Sequence, residues 1–286
     1  MQLLLRINDR IATENASMKL GGRMGQLVNE SARLLSNEQV GPRLHLMQLE
    51  SPVIAQSIKP GQFIHMKVPG HQEHVLRRPF SVYAADAGTG TLDVLYQEVG
   101  SITQIMPEIN EGTFELIGPI GNTWSTDSEH ALLVGGGVGA APLFMLTELL
   151  AKSGCRLDVV LGAQTERALV CRDRYSRLLG HEPWCATDDG TYGRAGFCTT
   201  LVEERLREGC ADDGCPYDYV AVCGPEPLMR IVSNMALDAG VRCEVSMEKR
   251  MACGVGACLS CVVDTVDGKR RSCVDGPVFD ARKVVW

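Results

Sequence analysis

ALLVGGGVGAAPLFMLTELLAKSG, residues Ala131 to Gly154, reads as an apolar run that ends in glycines and opens directly into a segment of helical spacing. Four further apolar strands follow it: RLDVVLGA, PWCATDD, YDYVAVCGP and CEVSM. Helical segments, LVEERLRE and PEPLMRIVSNMALDAG, lie between them. Strands alternating with helices from Trp124 to Met247 predict a parallel, doubly wound sheet.

Upstream the pattern changes. Between Pro42 and Pro119 the chain carries short alternating or β-branched runs: RLHLMQLE, QFIHMKV, FSVYAAD, TLDVLYQEV and TFELIG. Turn signals separate them at Lys59-Pro60-Gly61, Pro69-Gly70, Gly88-Thr89-Gly90 and Glu111-Gly112. Five or six such strands, with one brief helix over Ser101–Met106, predict a small antiparallel barrel that grips a flat ligand on its outside. Residues 1 to about 38 show no sustained amphipathic period. They read as a loosely ordered extension or a helix used at an interface. Met18 and Met24 offer downstream translation starts, which the intact mass of the native protein tests.

Downstream lies EKRMACGVGACLSCVV, Glu248 to Val263, followed by CVDGPVF, Cys273 to Phe279. Cys253, Cys258 and Cys261 are spaced C-x4-C-x2-C, and Cys273 follows after eleven residues. The first three match the plant-type spacing of a [2Fe–2S] cluster, which is held by four thiolates. Gly254 and Gly256 let a backbone fold tightly round inorganic sulfide and aim N–H groups at it. The competing reading is a structural zinc site, which usually takes two C-x2-C knuckles, whereas this segment has one.

The 286 residues suffice for two domains with cores, and 45% hydrophobic with 22% charged residues is ordinary for a soluble globular chain. A net charge of −7 argues against a nucleic-acid surface. The MQLLL start is too short for a signal-peptide core and is broken by Arg6, and no run approaches the ~18 apolar residues of a membrane span. Of twelve cysteines, four cluster and eight are scattered, which suits a reducing, cytoplasmic compartment.

Three turns end successive strands of the doubly wound region. GGGVGAAP, Gly135 to Pro142, joins strand to helix, where glycines permit close approach of a pyrophosphate and the helix N-terminus favours an anion. It departs from the G-x-G-x-x-G fingerprint, and Thr165 and Arg167 offer either a ribose or a 2′-phosphate contact. CGPEPLM, Cys223 to Met229, and TDDGTYG, Thr187 to Gly193, lie at the same sheet edge. Each is also ordinary turn punctuation; their coincidence favours a nucleotide crevice. In the barrel region, LRRPFSVY, Leu76 to Tyr83, sets two arginines beside an aromatic and a hydroxyl, a set suited to a phosphate with a planar ring system and equally to a solvated edge strand.

Taken together, PGQF, LRRPFSVY, GPIGN, GGGVGAAPL, TDDGTYG, CGPEPLM and the two cysteine stretches resemble the electron-transfer subunit of NAD-dependent dihydroorotate dehydrogenase, within the ferredoxin reductase-like flavoproteins. The resemblance covers about residues 40 to 282. It implies FAD, NAD and a [2Fe–2S] cluster as cofactors. It implies an FMN-containing catalytic partner, two copies of each subunit per complex, and a role in pyrimidine synthesis. By that resemblance Arg78 meets FAD phosphate, Phe80 lies by the isoalloxazine, Ser81 approaches its N5 edge, and Pro79 between them belongs to the same cofactor-binding stretch. Gly100 and Thr103 serve the flavin pyrophosphate, although the family's Gly-x-Gly-Thr is here Gly100-Ser101-Ile102-Thr103. Gly135, Gly136, Gly137 and Gly139 cradle the nicotinamide nucleotide, with Cys223, Gly224 and Pro225 near its ring. Cys253, Cys258, Cys261 and Cys273 hold the cluster. No general acid or base is nominated.

The expected organisation is an N-terminal extension (1–38), an FAD-binding antiparallel barrel (39–122), an NAD-binding α/β domain (123–247) and a cluster-binding segment (248–286). Two alternatives remain open to the sequence. One is a subunit of a related NADH-dependent ferredoxin:NADP reductase or hydrogenase complex. The other is a non-catalytic, zinc-stabilised binding protein.

Overall fold

The computed structural model describes residues 27–70, 75–209 and 217–286. The expected N-terminal extension lies outside the described residues as far as residue 26. The remainder of that segment belongs to the first sheet. Strand β1 spans Val28–Gly41, so the boundary expected at 38/39 falls inside a strand. Only Ala32 and Leu34 of β1 are buried, which leaves a faint apolar pattern. What makes it a strand is backbone pairing on both sides, to the neighbours described next.

The first sheet continues with β2 (Leu44–Glu50), β3 (Phe63–Lys67), β4 (Arg78–Ser81), β5 (Ala84–Asp86), β6 (Thr91–Gln97) and β7 (Thr113–Ile120), with short helices α1 (Pro52–Ser57) and α2 (Ser101–Ile105). Its order is β4-β3-β7-β1-β2-β6-β5, and every pair is antiparallel. The edge strands β4 and β5 are consecutive in sequence, separated by Val82 and Tyr83 alone, so the sheet must curl until its ends meet. Its interior is filled by Ile64, Met66, Phe80, Val94, Tyr96, Phe114 and their neighbours. This is the expected barrel.

The second sheet begins with β8 (His130–Gly136), followed by α3 (Ala141–Lys152), β9 (Arg156–Ala163), α4 (Arg172–Leu179), β10 (Trp184–Thr187), β11 (Arg194–Ala195), α5 (Thr199–Gly209), β12 (Tyr219–Cys223), α6 (Glu226–Asp238) and β13 (Arg242–Ser246). After β13 come a hairpin, β14 (Val262–Thr265) with β15 (Gly268–Arg271), and a last strand β16 (Val278–Asp280). The sheet order is β11-β10-β9-β8-β12-β13-β16, parallel except for β16 against β13. The chain winds outward from β8 in one direction and then from β12 in the other. The switch point therefore lies between β8 and β12, where open α/β sheets bind ligands.

The two sheets share a core. Tyr83, Leu95 and Trp124 pack among residues of β8, α3 and α4. Phe144 of α3 meets Tyr83 edge-on at 5.1 Å, and Arg174 of α4 lies over the Tyr83 ring while pairing with Asp93 of β6 at 2.7 Å. The segment expected to stand apart at 248–286 is an excursion between β13 and β16: it leaves the second sheet, crosses to the barrel and returns. Asn122 clasps the returning strand, accepting from Val278 N–H at 2.9 Å and donating to its carbonyl at 2.8 Å. Among the described residues, no helix is long and apolar enough to cross a membrane.

Candidate functional site

The turn after β8 and the turn after β12 touch at the switch point. Gly135 stands opposite Cys223 in the ladder. A Cβ at Gly139 would lie 2.7 Å from the Cys223 carbonyl, and one at Gly136 would lie 2.5 Å from Leu228 Cδ2 and 3.0 Å from Pro225. One at Gly135 would meet Ala140 Cα at 2.7 Å. These three glycines are thus required by protein packing. Gly137 differs: it is exposed, has φ of +56°, and a Cβ there would meet nothing. Of the four glycines it is the one facing open space, where an incoming nucleotide can approach the backbone.

Cys223 is 2% exposed, and burial raises its thiol pKa far above the ordinary value, so it stays a neutral thiol. Its side chain lies among core residues of the second sheet, while Gly224 and Pro225 carry the accessible edge.

Strand β4 is the edge strand carrying Arg78-Pro79-Phe80-Ser81. Pro79 has no N–H to extend the ladder, so this edge resists strand pairing and leaves its outer side to a ligand. Arg78 is half-buried, and its guanidinium donates to the Leu76 carbonyl at 2.6 Å. Ser81 and Pro79 are partly exposed. Phe80 alternates inward, 9% exposed in the barrel core, with its ring edge-on to Tyr96 at 6.2 Å. Its ring therefore supports the β4 edge from beneath, whereas the expectation set it beside a planar ligand.

Gly100 precedes α2, exposed and with free space at its Cα. The Thr103 hydroxyl accepts from the N–H groups of Val99 at 2.9 Å and Gly100 at 3.0 Å, and donates to the Gly100 carbonyl. It shapes the turn and has little capacity left for a ligand.

The cysteine loop folds against β3 and β7 of the barrel. Phe63 and Ile120 pack on Cys261 and Cys273, with Ile117, Met251 and Val274 around them. Gly254 and Gly256 both adopt left-handed backbone, φ +69° and +80°. Arg271 ties the loop's base: it donates to Asp275 Oδ2 at 3.0 Å and to the Gly256 carbonyl at 3.4 Å. The buried Ser272 hydroxyl donates to the Met247 carbonyl at 2.7 Å.

The Cys261 and Cys273 sulfurs stand 3.3 Å apart and are buried. Two thiolates about 2.3 Å from one tetrahedral metal would be roughly 3.7 Å apart, so this pair is close to a shared-metal geometry. Burial, and then the neighbouring Cys261, push Cys273 up to about 12. Cys253 and Cys258 form the outer pair. The Ser260 hydroxyl, 3.3 Å away, together with backbone N–H groups and Cys253, lowers Cys258 to about 6. Among the described residues no three His, Cys, Asp or Glu side chains converge on a single point. Four thiols on one segment, with Cys261 and Cys273 already side by side, suit a two-iron cluster, in which each iron takes two protein ligands.

Comparison with known proteins agrees with these three zones. Residues 31–124 match the oxidoreductase FAD-binding domain and residues 133–234 the oxidoreductase NAD-binding domain. Residues 248–285 match the iron-sulfur cluster binding domain of dihydroorotate dehydrogenase B. The dihydroorotate dehydrogenase B (NAD(+)) electron transfer subunit of Desulforamulus reducens is 35% identical over 262 residues, 89% of this chain and 97% of the relative. That of Bacillus caldolyticus is 33% identical over 264 residues, 90% and 98% of the two chains. This chain belongs to that family. Among solved structures, a chain of an NADH-dependent reduced ferredoxin-NADP oxidoreductase aligns with this electron transfer subunit at a TM-score of 0.79 and 26% identity, covering 93% of this chain and 92% of the other.

The subunit therefore has the barrel, doubly wound domain and cluster domain that its motifs led one to expect, with FAD, NAD and an iron–sulfur cluster as cofactors. Sequence reasoning missed the groups that join the zones: Tyr83, Asp93 and Arg174 between barrel and nucleotide domain, Asn122 at the clasp, and His65 beneath the cysteine loop. Tyr83, Asn122, His65 and Asp93 stand inside stretches already singled out (LRRPFSVY, GPIGN, QFIHMKV and TLDVLYQEV), but no local pattern shows which distant residue each of them meets.

Proposed function

We propose that this chain carries electrons between NAD and a catalytic partner subunit that oxidises dihydroorotate in pyrimidine synthesis. The observation that carries the reading is the cysteine loop itself, matched to the iron–sulfur domain of this family, lying on the flavin barrel while both its ends are rooted in the nucleotide sheet. When bound, FAD supplies the exchange between two-electron hydride chemistry and the one-electron capacity of a [2Fe–2S] cluster.

The chain's own residues provide binding and placement. Arg78 offers a forked guanidinium to the flavin phosphates, and Ser81 and Pro79 present the β4 edge to its ring. Phe80 holds that edge in register, and Gly100 with Thr103 forms the neighbouring turn. Gly137 admits the nicotinamide nucleotide to the backbone N–H groups at the start of α3, over a floor made by Gly135, Gly136 and Gly139. Gly224 and Pro225, above the buried Cys223, border the nicotinamide end. Cys253 with Cys258, and Cys261 with Cys273, ligate the cluster in pairs. The domain limits, read with these assignments, are barrel 28–122, nucleotide sheet 123–247 together with β16, and cluster segment 248–277.

The partner is an FMN-containing dehydrogenase subunit in a complex of two copies of each chain, and the compartment is the reducing cytoplasm. Support for that compartment comes from the described cysteines outside the cluster segment, Cys155, Cys171, Cys185, Cys198, Cys223 and Cys243, which are all free thiols, a state that survives best where thiols stay reduced. Co-purification with the partner, followed by dihydroorotate-dependent reduction of NAD, tests the reading. The likeness to the ferredoxin-NADP oxidoreductase chain favours a second one, so reduced ferredoxin is the parallel donor. Turnover with ferredoxin and none with dihydroorotate overturns the first reading.

A further inference from the structure

His65 lies in the middle of β3, and its side chain shares the outer face of the barrel with Phe63, two residues away. That is the face on which the cysteine loop rests. The ring is 1% exposed, yet neither Nδ1 nor Nε2 makes a well-formed hydrogen bond among the described residues, and the backbone of Arg77 offers only a weak one. A buried polar side chain is normally satisfied, and leaving both nitrogens unpaired is costly. The ring does not face a bland apolar wall. A Cβ on Gly254 would stand 2.6 Å from His65 Nδ1, so the backbone between Cys253 and Cys258 lies directly against that nitrogen. Glycine with φ of +69° is what allows the approach.

On its other side, His65 stands opposite Pro79 in the β3–β4 ladder, beside the flavin strand. Burial first, then the Arg77 charge, disfavour a second proton on the ring, against a weak backbone hydrogen bond to Arg77; the neutral ring has a single N–H to donate.

We propose that His65 is a positioning residue for the iron–sulfur cluster: its Nδ1–H donates into the Cys253–Cys258 turn, to a sulfur of the bound cluster, and so raises the potential at which the cluster accepts an electron. The inference rests on the proposed reading of the cysteine loop as the cluster site. Accepting an electron increases the negative charge on the sulfurs, so a fixed donor stabilises the reduced state more than the oxidised one. The same side chain wedges the loop against β3 and keeps its distance from the flavin strand constant.

The test uses the full-length chain loaded with FAD and cluster, titrated electrochemically and followed by electron paramagnetic resonance. His65→Leu, which keeps the bulk and removes the donor, is expected to bind the same iron and to shift the cluster's equilibrium about tenfold toward the oxidised form, about 59 mV for one electron. His65→Gln, with an amide donor, should recover part of the shift. An unchanged potential in His65→Leu at full iron content overturns the proposal. Should His65→Leu fail to take up iron, the unmodified chain decides. With nitrogen-15 histidine, its reduced cluster should show one weak nitrogen coupling and one exchangeable proton, both altered in His65→Gln. Absence of that coupling overturns the role, and so does a strong coupling from a directly bound nitrogen, which would make His65 a ligand. An unmodified chain that binds no iron under reconstitution sinks the cluster reading itself, a failure distinct from an iron-loaded chain lacking the coupling.

Discussion

The glycine turn after β8 and the cysteine loop after β13 are both dense in residues whose type stands out, but for different reasons. At the turn, Gly135, Gly136 and Gly139 are dictated by the protein: any side chain would strike Ala140, Leu228 or the Cys223 backbone. In the loop, Cys258 is exposed and Cys253 half-exposed, and no packing demand calls for sulfur there. A ligand-driven residue is therefore one whose identity the surrounding fold leaves unexplained. By that measure Cys253 and Cys258 point to ligands and Gly139 points to the fold, while Gly137 is called for by its own left-handed backbone and still leaves open space for a ligand.

The comparison is broken most directly at Cys258. Replacing it with serine should abolish iron binding, because a serine oxygen is a poor ligand for iron compared with thiolate, while thermal unfolding of this exposed-site variant should match that of the unmodified chain stripped of iron. NADH-driven reduction of a small dye that takes electrons from flavin should persist, and transfer to the catalytic partner should fall to background. Retained partner-coupled turnover in an iron-free sample would make the loop a structural staple. Cys261→Ser should lose iron in the same way and also unfold earlier, because it sets a hydroxyl in a buried position.

Arg78 supplies an intermediate case, a side chain tied at present to its own loop and assigned to FAD. Arg78→Ala should weaken FAD retention by ~1.5–3 kcal/mol, the scale of a charged hydrogen bond, as read by flavin content after dilution and gel filtration. Full flavin retention would move Arg78 to the fold-driven side.

Gly139→Ala should lower stability by about 1–3 kcal/mol through overpacking against the Cys223 backbone, visible as a drop in the urea midpoint with or without nucleotide. An unchanged midpoint would show that the two turns separate easily, and the packing explanation would go.

Of the two glycines, Gly137 is expected to have the smaller effect on folding. Alanine there costs roughly 1 kcal/mol for the left-handed backbone alone. Its methyl projects into open space, so NADH affinity should fall by more than stability does. Equal binding by calorimetry would place the nucleotide elsewhere on the sheet edge.

Much of this was legible in the chain. Apolar period, turn residues and cysteine spacing are local quantities, and they sufficed for β2, β3, β6 and β7, for β8 to β10, β12 and β13 with α3, α5 and α6, and for the four candidate ligands. The single run FSVYAAD is divided between the edge strands β4 and β5, and α4 lies outside these runs. The first strand was not legible, since a central strand held by backbone bonds on both sides needs few apolar side chains to declare it. Nor was the direction of Phe80, because an edge strand buries one face and the motif does not say which residue takes it.

By itself the sequence determined most of the barrel strands, most of the alternating strands and helices, and which chemistries are carried, because propensity, spacing and ligand type act within a few residues. Tertiary structure alone decided which glycines are packing and which are open. It decided that β16 closes the nucleotide sheet and that His65 lies under Gly254, 189 positions later in the chain. Those outcomes depend on which surfaces meet after long loops close, and strand pairing with apolar burial across the whole chain, not any local pattern, selects them.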